Sequence, residues 1–349
     1  MIDALVIDDS ALVRQLLVSI LNARGMQVRT APDPLVAMTK IRQRRPTVIV
    51  LDLELPRMHG LEFLAWLAAD PIPVVVCSTL AGAGTEPAVR ALELGALDLV
   101  EKPKIGIRDF LEESATTIGD AVAAAASAKL FARRRSAEQP SNAELLQFTS
   151  DKVIGIGAST GGTEAVRQIL SAMPPNAPGI VVVQHMPAGF TAAFARRLDE
   201  ECAIDVREAV HGERVTTGNA LIAPGDRHIE VLRSGAQYVV SISDGPRVTR
   251  HRPSVDVLFH SLAAAAGPNA LAVILTGMGA DGADGMLAMR RAGARTIAQD
   301  EATSVVYGMP KEAVARGAVE QIAPLDRIPP LMLSAVAATT RTPRLPRAH

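Results

Sequence analysis

The sequence predicts an α/β protein of two doubly wound parallel-sheet domains, the first of the flavodoxin-like kind. Three observations predict it. Strand-like and helix-like patterns alternate through the first 120 residues, the alternation restarts at Lys152, and an Ala-, Arg- and Pro-containing stretch separates the two series. At 349 residues the chain also exceeds what one ordinary hydrophobic core accommodates. The expected organisation is a first domain over 1–120, a linker over 121–150, a second domain over 151–340 and a disordered tail over 341–349.

In the first half, strands are expected at residues 4–7, 27–30, 48–51, 74–77 and 97–100. They are short runs rich in Val, Ile and Leu, as in a parallel sheet covered on both faces. Amphipathic segments at 12–23 and 87–94 close at Gly25 and Gly95, because glycine just past the last apolar turn stops a helix. In the second half, strands are expected at 153–156, 180–184, 221–223, 271–275 and 296–298. Two alternating stretches, 228–233 and 237–243, flank Ser234-Gly235-Ala236 and read as an antiparallel hairpin added to that sheet. The linker reads as helical in its first part, and its Arg133-Arg134-Arg135 triplet as a solvated charged face.

Composition narrows the function. The hydrophobic fraction of 48% is that of a soluble globular protein, and a formal net charge of -1 offers no basic field for nucleic acid or anionic membrane. Aromatic residues make up 3%, too few for base-stacking platforms, and no basic recognition helix is apparent. Cys77 and Cys202 lie far apart and fit neither a disulfide framework nor a zinc site, which suits a reducing cytosol. Asp8 and Asp9 follow the first apolar run and no basic segment precedes it, so it is not read as a signal peptide. The apolar stretch 257–276 is broken by His260, Ser261, Pro268 and Asn269, a poor membrane span. A cytoplasmic protein without membrane insertion is expected.

Asp8 and Asp9 close the first expected strand and Asp52 the third, so all three should meet at the carboxyl edge of the sheet. Three carboxylates there repel one another unless a divalent cation joins them, and oxygen ligands suit Mg²⁺. Ser78 follows the fourth expected strand and Lys102, before Pro103, ends the fifth. A carboxylate, a metal, a hydroxyl and an ammonium together match phosphoryl transfer to Asp52. With the 51–56 stretch Leu-Asp-Leu-Glu-Leu-Pro, these residues resemble the response-regulator receiver family over 1–120. The resemblance implies Asp52 as phospho-acceptor, Asp8, Asp9 and Asp52 as Mg²⁺ ligands, Ser78 and Lys102 as phosphate readout, and a histidine kinase as phosphodonor. Two positions depart from the family: His59 stands before Gly60 where an Asp is frequent, and Leu99 stands where many receivers carry an aromatic switch.

The strand at 153–156 runs into Gly157-Ala158-Ser159-Thr160-Gly161-Gly162 and an apparently helical segment. Two readings stand. Gly155, Gly157 and Gly161 could form a dinucleotide-binding turn, but strict spacing needs glycine at Thr160, and the next strand ends in Gln184-His185 rather than an acid. Alternatively Gly157-x-Ser159-x-Gly161 is a nucleophile elbow that exposes a hydroxyl at the sheet edge. His185 falls on the same edge, and a serine hydroxyl needs such an imidazole to take its proton. A carboxylate must complete the set; Asp281, in Thr276-Gly277-Met278-Gly279-Ala280-Asp281-Gly282, follows another strand, with Asp256 and Asp284 as rivals. The order Ser…His…Asp differs from that of ordinary α/β-hydrolases.

These motifs, with Gln184-His185-Met186-Pro187, Ala223-Pro224-Gly225-Asp226-Arg227-His228 and Arg252-Pro253-Ser254-Val255-Asp256, resemble the bacterial chemotaxis protein-glutamate methylesterases (CheB) over 152–338. The resemblance implies Ser159 as nucleophile, His185 as general base, Asp281 as its orienter, the Met278 N–H as an oxyanion donor, and no cofactor in this half. It also implies chemoreceptor glutamate methyl esters as substrate, and glutamine deamidation as a second activity. A nucleotide-holding binding module without chemistry is the alternative from another class.

Overall fold

The computed structural model describes residues 1–78, 85–103, 108–129 and 151–337. The Arg133–Arg135 triplet, most of the expected linker and the expected tail lie outside the described residues.

The first half contains β1 (Asp3–Ile7), α1 (Ala11–Ala23), β2 (Gln27–Ala31), α2 (Pro34–Gln43), β3 (Val48–Leu51), α3 (Gly60–Leu67), β4 (Val74–Ser78), α4 (Thr85–Glu93), β5 (Asp98–Glu101) and α5 (Arg108–Ala126). The Ala-rich segment from 121 therefore begins as the end of α5. All strand pairs are parallel, in the order β2-β1-β3-β4-β5. Side-chain caps fix where helices start. The Ser10 hydroxyl accepts from Val13 N–H, and Asp33 accepts from Leu35 and Val36 at 2.9 and 3.0 Å with Pro34 at the first helical position. His59 caps α3 by accepting from Leu61 N–H through Nδ1 at 3.2 Å, so the imidazole does what an Asp would do there. Leu99 is buried in the apolar core.

The second half contains β6 (Val153–Ala158), α6 (Gly162–Ser171), β7 (Gly179–Gln184), α7 (Phe190–Glu201), β8 (Asp205–Glu208), β9 (Arg214–Val215), β10 (Asn219–Ile222), β11 (His228–Ser234), β12 (Gln237–Ser243), α8 (Val255–Ala265), β13 (Ala270–Ile274), α9 (Ala283–Arg291), β14 (Arg295–Gln299), α10 (Met309–Ala315), β15 (Gln321–Ala323) and α11 (Ile328–Val336). Seven parallel strands run in the order β15-β14-β13-β6-β7-β10-β8. The expected hairpin forms as β11 and β12, but it pairs with β9 in its own antiparallel sheet. Its buried Ile229, Val231, Val240 and Ile242 join the core beneath α8.

In each sheet strands are added outward in both directions from one neighbouring pair: β1 and β3 in the first, and β6 and β13 in the second. Loops leaving such neighbours diverge and open a crevice, which is where ligands bind in open α/β sheets.

The halves touch. One apolar cluster includes buried residues of both halves, and α4 packs against α7. Ion pairs Arg197–Glu93 (2.5 Å), Arg250–Asp120 (3.5 Å) and Lys129–Glu301 (3.2 Å) frame it.

Candidate active site and phospho-acceptor site

Asp8, Asp9 and Asp52 converge at the β1/β3 crevice, with carboxylate oxygens within 4.8 Å of one another. Asp8 and Asp52 are buried and Asp9 is exposed. Lys102 reaches over from the end of β5, its Nζ 2.8 Å from Asp52 Oδ2 and 2.9 Å from Asp8 Oδ2. Burial raises the Asp52 carboxyl and the Lys102 ammonium opposes that rise; Lys102, itself disfavoured by burial, is held charged by Asp52 and Asp8. Ser78 ends β4 beside them, and its carbonyl accepts from Lys102 N–H at 2.8 Å. Buried hard oxygens next to one exposed carboxylate fit a small divalent cation.

Ser159 follows β6 and His185 follows β7, directly across from it, since Ala158 pairs with Gln184 in register. The His185 N–H bonds Ala158 O at 3.0 Å, and the Gln184 side-chain amide donates to Ser159 O (3.0 Å) and His185 O (3.1 Å). Ser159 is thereby clamped by the neighbouring strand. On its other side its N–H bonds Thr276 O, just past β13, at 3.0 Å. Gly277 comes so close that a Cβ there would sit 2.7 Å from Ser159 Cβ.

The turn after Ser159 is made by Gly161 at φ 75°, whose own Cβ would lie 2.6 Å from Val305 Cβ. The left-handed residue of this elbow is thus the glycine two positions on, not the serine. Side chains at Gly155 and Gly157 would overlap Leu262 and Val255 on α8. These glycines let a helix lie against the sheet, which removes the reason to read them as a phosphate cradle.

His185 Nε2 lies 2.8 Å from Asp281 Oδ2. Asp281 is fully buried and accepts further from Ser254 Oγ (2.7 Å), Val255 N–H (2.7 Å) and Asp256 N–H (3.2 Å), the first turn of α8. Burial raises its carboxyl, but His185 and these donors outweigh burial and hold it down to about 2. Asp281 is therefore an ionised acceptor, and His185 donates to it from Nε2. The rivals are engaged elsewhere: Asp256 accepts from Gly285 N–H at 2.7 Å and Asp284 pairs with Arg316 at 2.9 Å. His185 Nδ1 is buried with no hydrogen-bond partner among the described residues, so the bond to the Ser159 hydroxyl is not made in this arrangement. Met278 follows Gly277, whose N–H is committed to Val306 O at 3.0 Å.

Several residues escaped the sequence reading. His251 stacks on His185, with ring centroids 3.8 Å apart and planes 8° from parallel. Asp98, at the start of β5, accepts from Thr160 Oγ1 at 2.8 Å, and Leu97 O accepts from Gly161 N–H at 3.1 Å. The first half thus seals the turn beside Ser159, which retains 9% exposure. Burial pushes the Asp98 carboxyl up to about 6 although Thr160 and Leu99 N–H donate to it. Ser254 was visible as part of a motif, but its bond to a carboxylate 27 residues away had no local signal.

Among the described residues no helix is long and apolar enough to cross a membrane. The CheB methylesterase family model matches residues 154–332 and the response regulator receiver domain model residues 4–113. A protein-glutamate methylesterase/protein-glutamine glutaminase of Anaeromyxobacter dehalogenans is 55% identical over 342 residues, covering 95% of this chain and 98% of that one. The protein of the same name from Salmonella typhimurium is 51% identical over 340 residues, 97% of both chains. The crystal structure of the Thermotoga maritima CheB methylesterase catalytic domain superposes with a TM-score of 0.53 at 38% identity, covering 54% of this chain and all of that one. With a receiver domain in front of a matching catalytic half, the chain belongs to the CheB methylesterase family.

Proposed function

We propose that the chain is a phosphorylation-controlled protein-glutamate methylesterase and protein-glutamine glutaminase of chemotaxis, working in the cytoplasm on glutamate methyl esters of chemoreceptor helices. The observation that carries the reading is the His185–Asp281 bond of 2.8 Å at the strand end beside Ser159.

With Nε2–H bound to Asp281, His185 presents Nδ1 as proton acceptor. Ser159 Oγ attacks the ester carbonyl as its proton passes to His185 Nδ1. The tetrahedral intermediate collapses, His185 returns the proton, and methanol leaves an acyl-enzyme. Water then attacks with His185 again as base, and the carboxylate is released from Ser159. A glutamine follows the same path with ammonia leaving. The Met278 N–H is the proposed oxyanion donor, a contribution of ~3–4 kcal/mol in serine hydrolases. Asp281, ionised and held by α8, orients the imidazole and stabilises its protonated form.

In the receiver, Asp52 is the proposed phospho-acceptor, and a histidine kinase of a chemosensory system the donor. Asp8, Asp9 and Asp52 would hold Mg²⁺, which when bound would offset charge on the transferring phosphoryl oxygens. Lys102 and Ser78 read the product. Phosphorylation adds roughly one negative charge at Asp52 and draws on Lys102. Lys102 lies just past β5, the strand whose other end grips Thr160 and Gly161, so a shift of β5 reaches the serine turn directly. The buried Ser159 and the contacts of β5 and α4 support occlusion of a bulky helical substrate by the unphosphorylated receiver.

The test is methanol release from methylated receptor membranes with and without a small phosphodonor. Release that rises with phosphodonor is expected; no release under either condition contradicts the activity, and release indifferent to phosphodonor contradicts the control.

A further inference from the structure

The segment before α8 does more than hold Asp281. Val248 and His251 close a two-residue turn by mutual backbone bonds of 3.1 and 2.8 Å, and both residues inside it are left-handed, Thr249 at φ 50° and Arg250 at φ 69°. Neither is glycine, so the turn is maintained against a steric cost, and such strain collects where a side chain must be aimed. What this turn aims is the ring of His251, laid flat on His185. Three residues on, Ser254 and Val255 bind Asp281. One short segment therefore fixes the plane of the imidazole and the acid at its edge.

We propose that His251 is a positioning residue for the general base: its ring pins the plane of His185, with Nε2 on Asp281, so that Nδ1 is held ready to take the Ser159 proton once the hydroxyl turns to it. This rests on the reading of Ser159, His185 and Asp281 given above. A ring with one hydrogen bond can still swing about that bond, out of line with the serine. A parallel neighbour at 3.8 Å stops the swing and keeps water from that face. His251 serves as a neutral surface: burial, then the neighbouring His185, lower its own proton affinity to about 3, although Asp281 opposes them and Arg250 and Arg247 add to them. Its nitrogens are not needed for this role, only its flatness.

The discriminating pair is His251→Phe and His251→Leu in the full chain, assayed by methanol release and by the rate of fluorophosphonate labelling of Ser159. Phe keeps a flat ring, and kcat within about threefold of the parent is expected. Leu fills the space without a plane, and kcat and the labelling rate should fall about 10- to 100-fold with KM unchanged. Equal kcat in the two variants overturns the proposal, whether both are active or both are impaired, as does a loss expressed in KM alone. Thermal melts accompany both; if the Leu variant does not fold, the Phe variant decides, and loss of kcat there overturns it. Ser159→Ala runs alongside: if it keeps activity, the triad reading has failed rather than the role of His251.

Discussion

The two crevices of this molecule obey one topological rule and solve opposite electrostatic problems. Both lie where strands are added outward in both directions, at β1/β3 and at β6/β13, and both collect polar side chains from strand ends. At the first, carboxylates crowd together with a single ammonium between Asp8 and Asp52, and Asp9 is open to solvent. The carboxylates outnumber the ammonium, an imbalance that the proposed cation would relieve. At the second, one carboxylate is sealed under a helix and given three donors besides His185. That arrangement keeps one imidazole in one orientation. Two buried acids reached past one exposed carboxylate suit a switch that must be reset, and a rim of buried donors suits repeated turnover.

Ways to break this contrast rank by size. Ser159→Ala should cut methanol release by about four to six orders of magnitude in a protein that melts normally; a residual rate near the parent's would remove the nucleophile. Asp281→Asn should lower kcat by ~10³–10⁴, because a neutral amide neither fixes the His185 tautomer nor matches all its donors. Exchange of the rival Asp284 for Asn should leave kcat near the parent's, and a comparable loss there would undo the assignment of the acid. In the receiver, Lys102→Ala should abolish the rise in esterase rate on adding phosphodonor, read as the ratio of rates with and without it. A preserved ratio would disconnect β5 from the control.

The smallest effect concerns the seam between the crevices. Docked, Asp98 is raised to about 6 by burial; undocked and solvated it should titrate near the ordinary carboxylate value of about 4. The docked form binds the proton more tightly, so docking strengthens as pH falls from above 6 towards 4 and weakens as pH rises through 6. The activity of the full chain relative to an isolated 151–349 fragment should therefore decline a few-fold between pH 7 and 5. Asp98→Asn should flatten that ratio, and a ratio rising toward low pH would reverse the sign.

Much of this was legible along the chain because it depends on strand ends. Asp8, Asp52, Ser78, Lys102, Ser159 and His185 each sit at or just beyond a short apolar run, and each expected strand lies within two residues of an observed one at its ends, whereas β8 and β15 were not expected. The choice of Asp281 over Asp256 and Asp284 rested on the family resemblance, since spacing alone does not say which carboxylate the first turn of α8 encloses. Asp98 and His251 were invisible for a related reason: their partners lie 62 and 66 positions away, and neither residue differs locally from a loop cap or a turn former. The hairpin was visible by its alternation. That it pairs with Arg214–Val215 instead of the large sheet depended on a two-residue strand with no periodicity to detect.

Hydrolysis by this chain requires Ser159 to be an activated nucleophile. Treating the full chain with a fluorophosphonate and mapping the adduct by peptide mass spectrometry tests this directly. A single adduct on Ser159, lost in Ser159→Ala and slowed in His185→Ala, is the predicted result. An adduct on another residue, or a Ser159 that stays unmodified while the protein releases methanol, would contradict it.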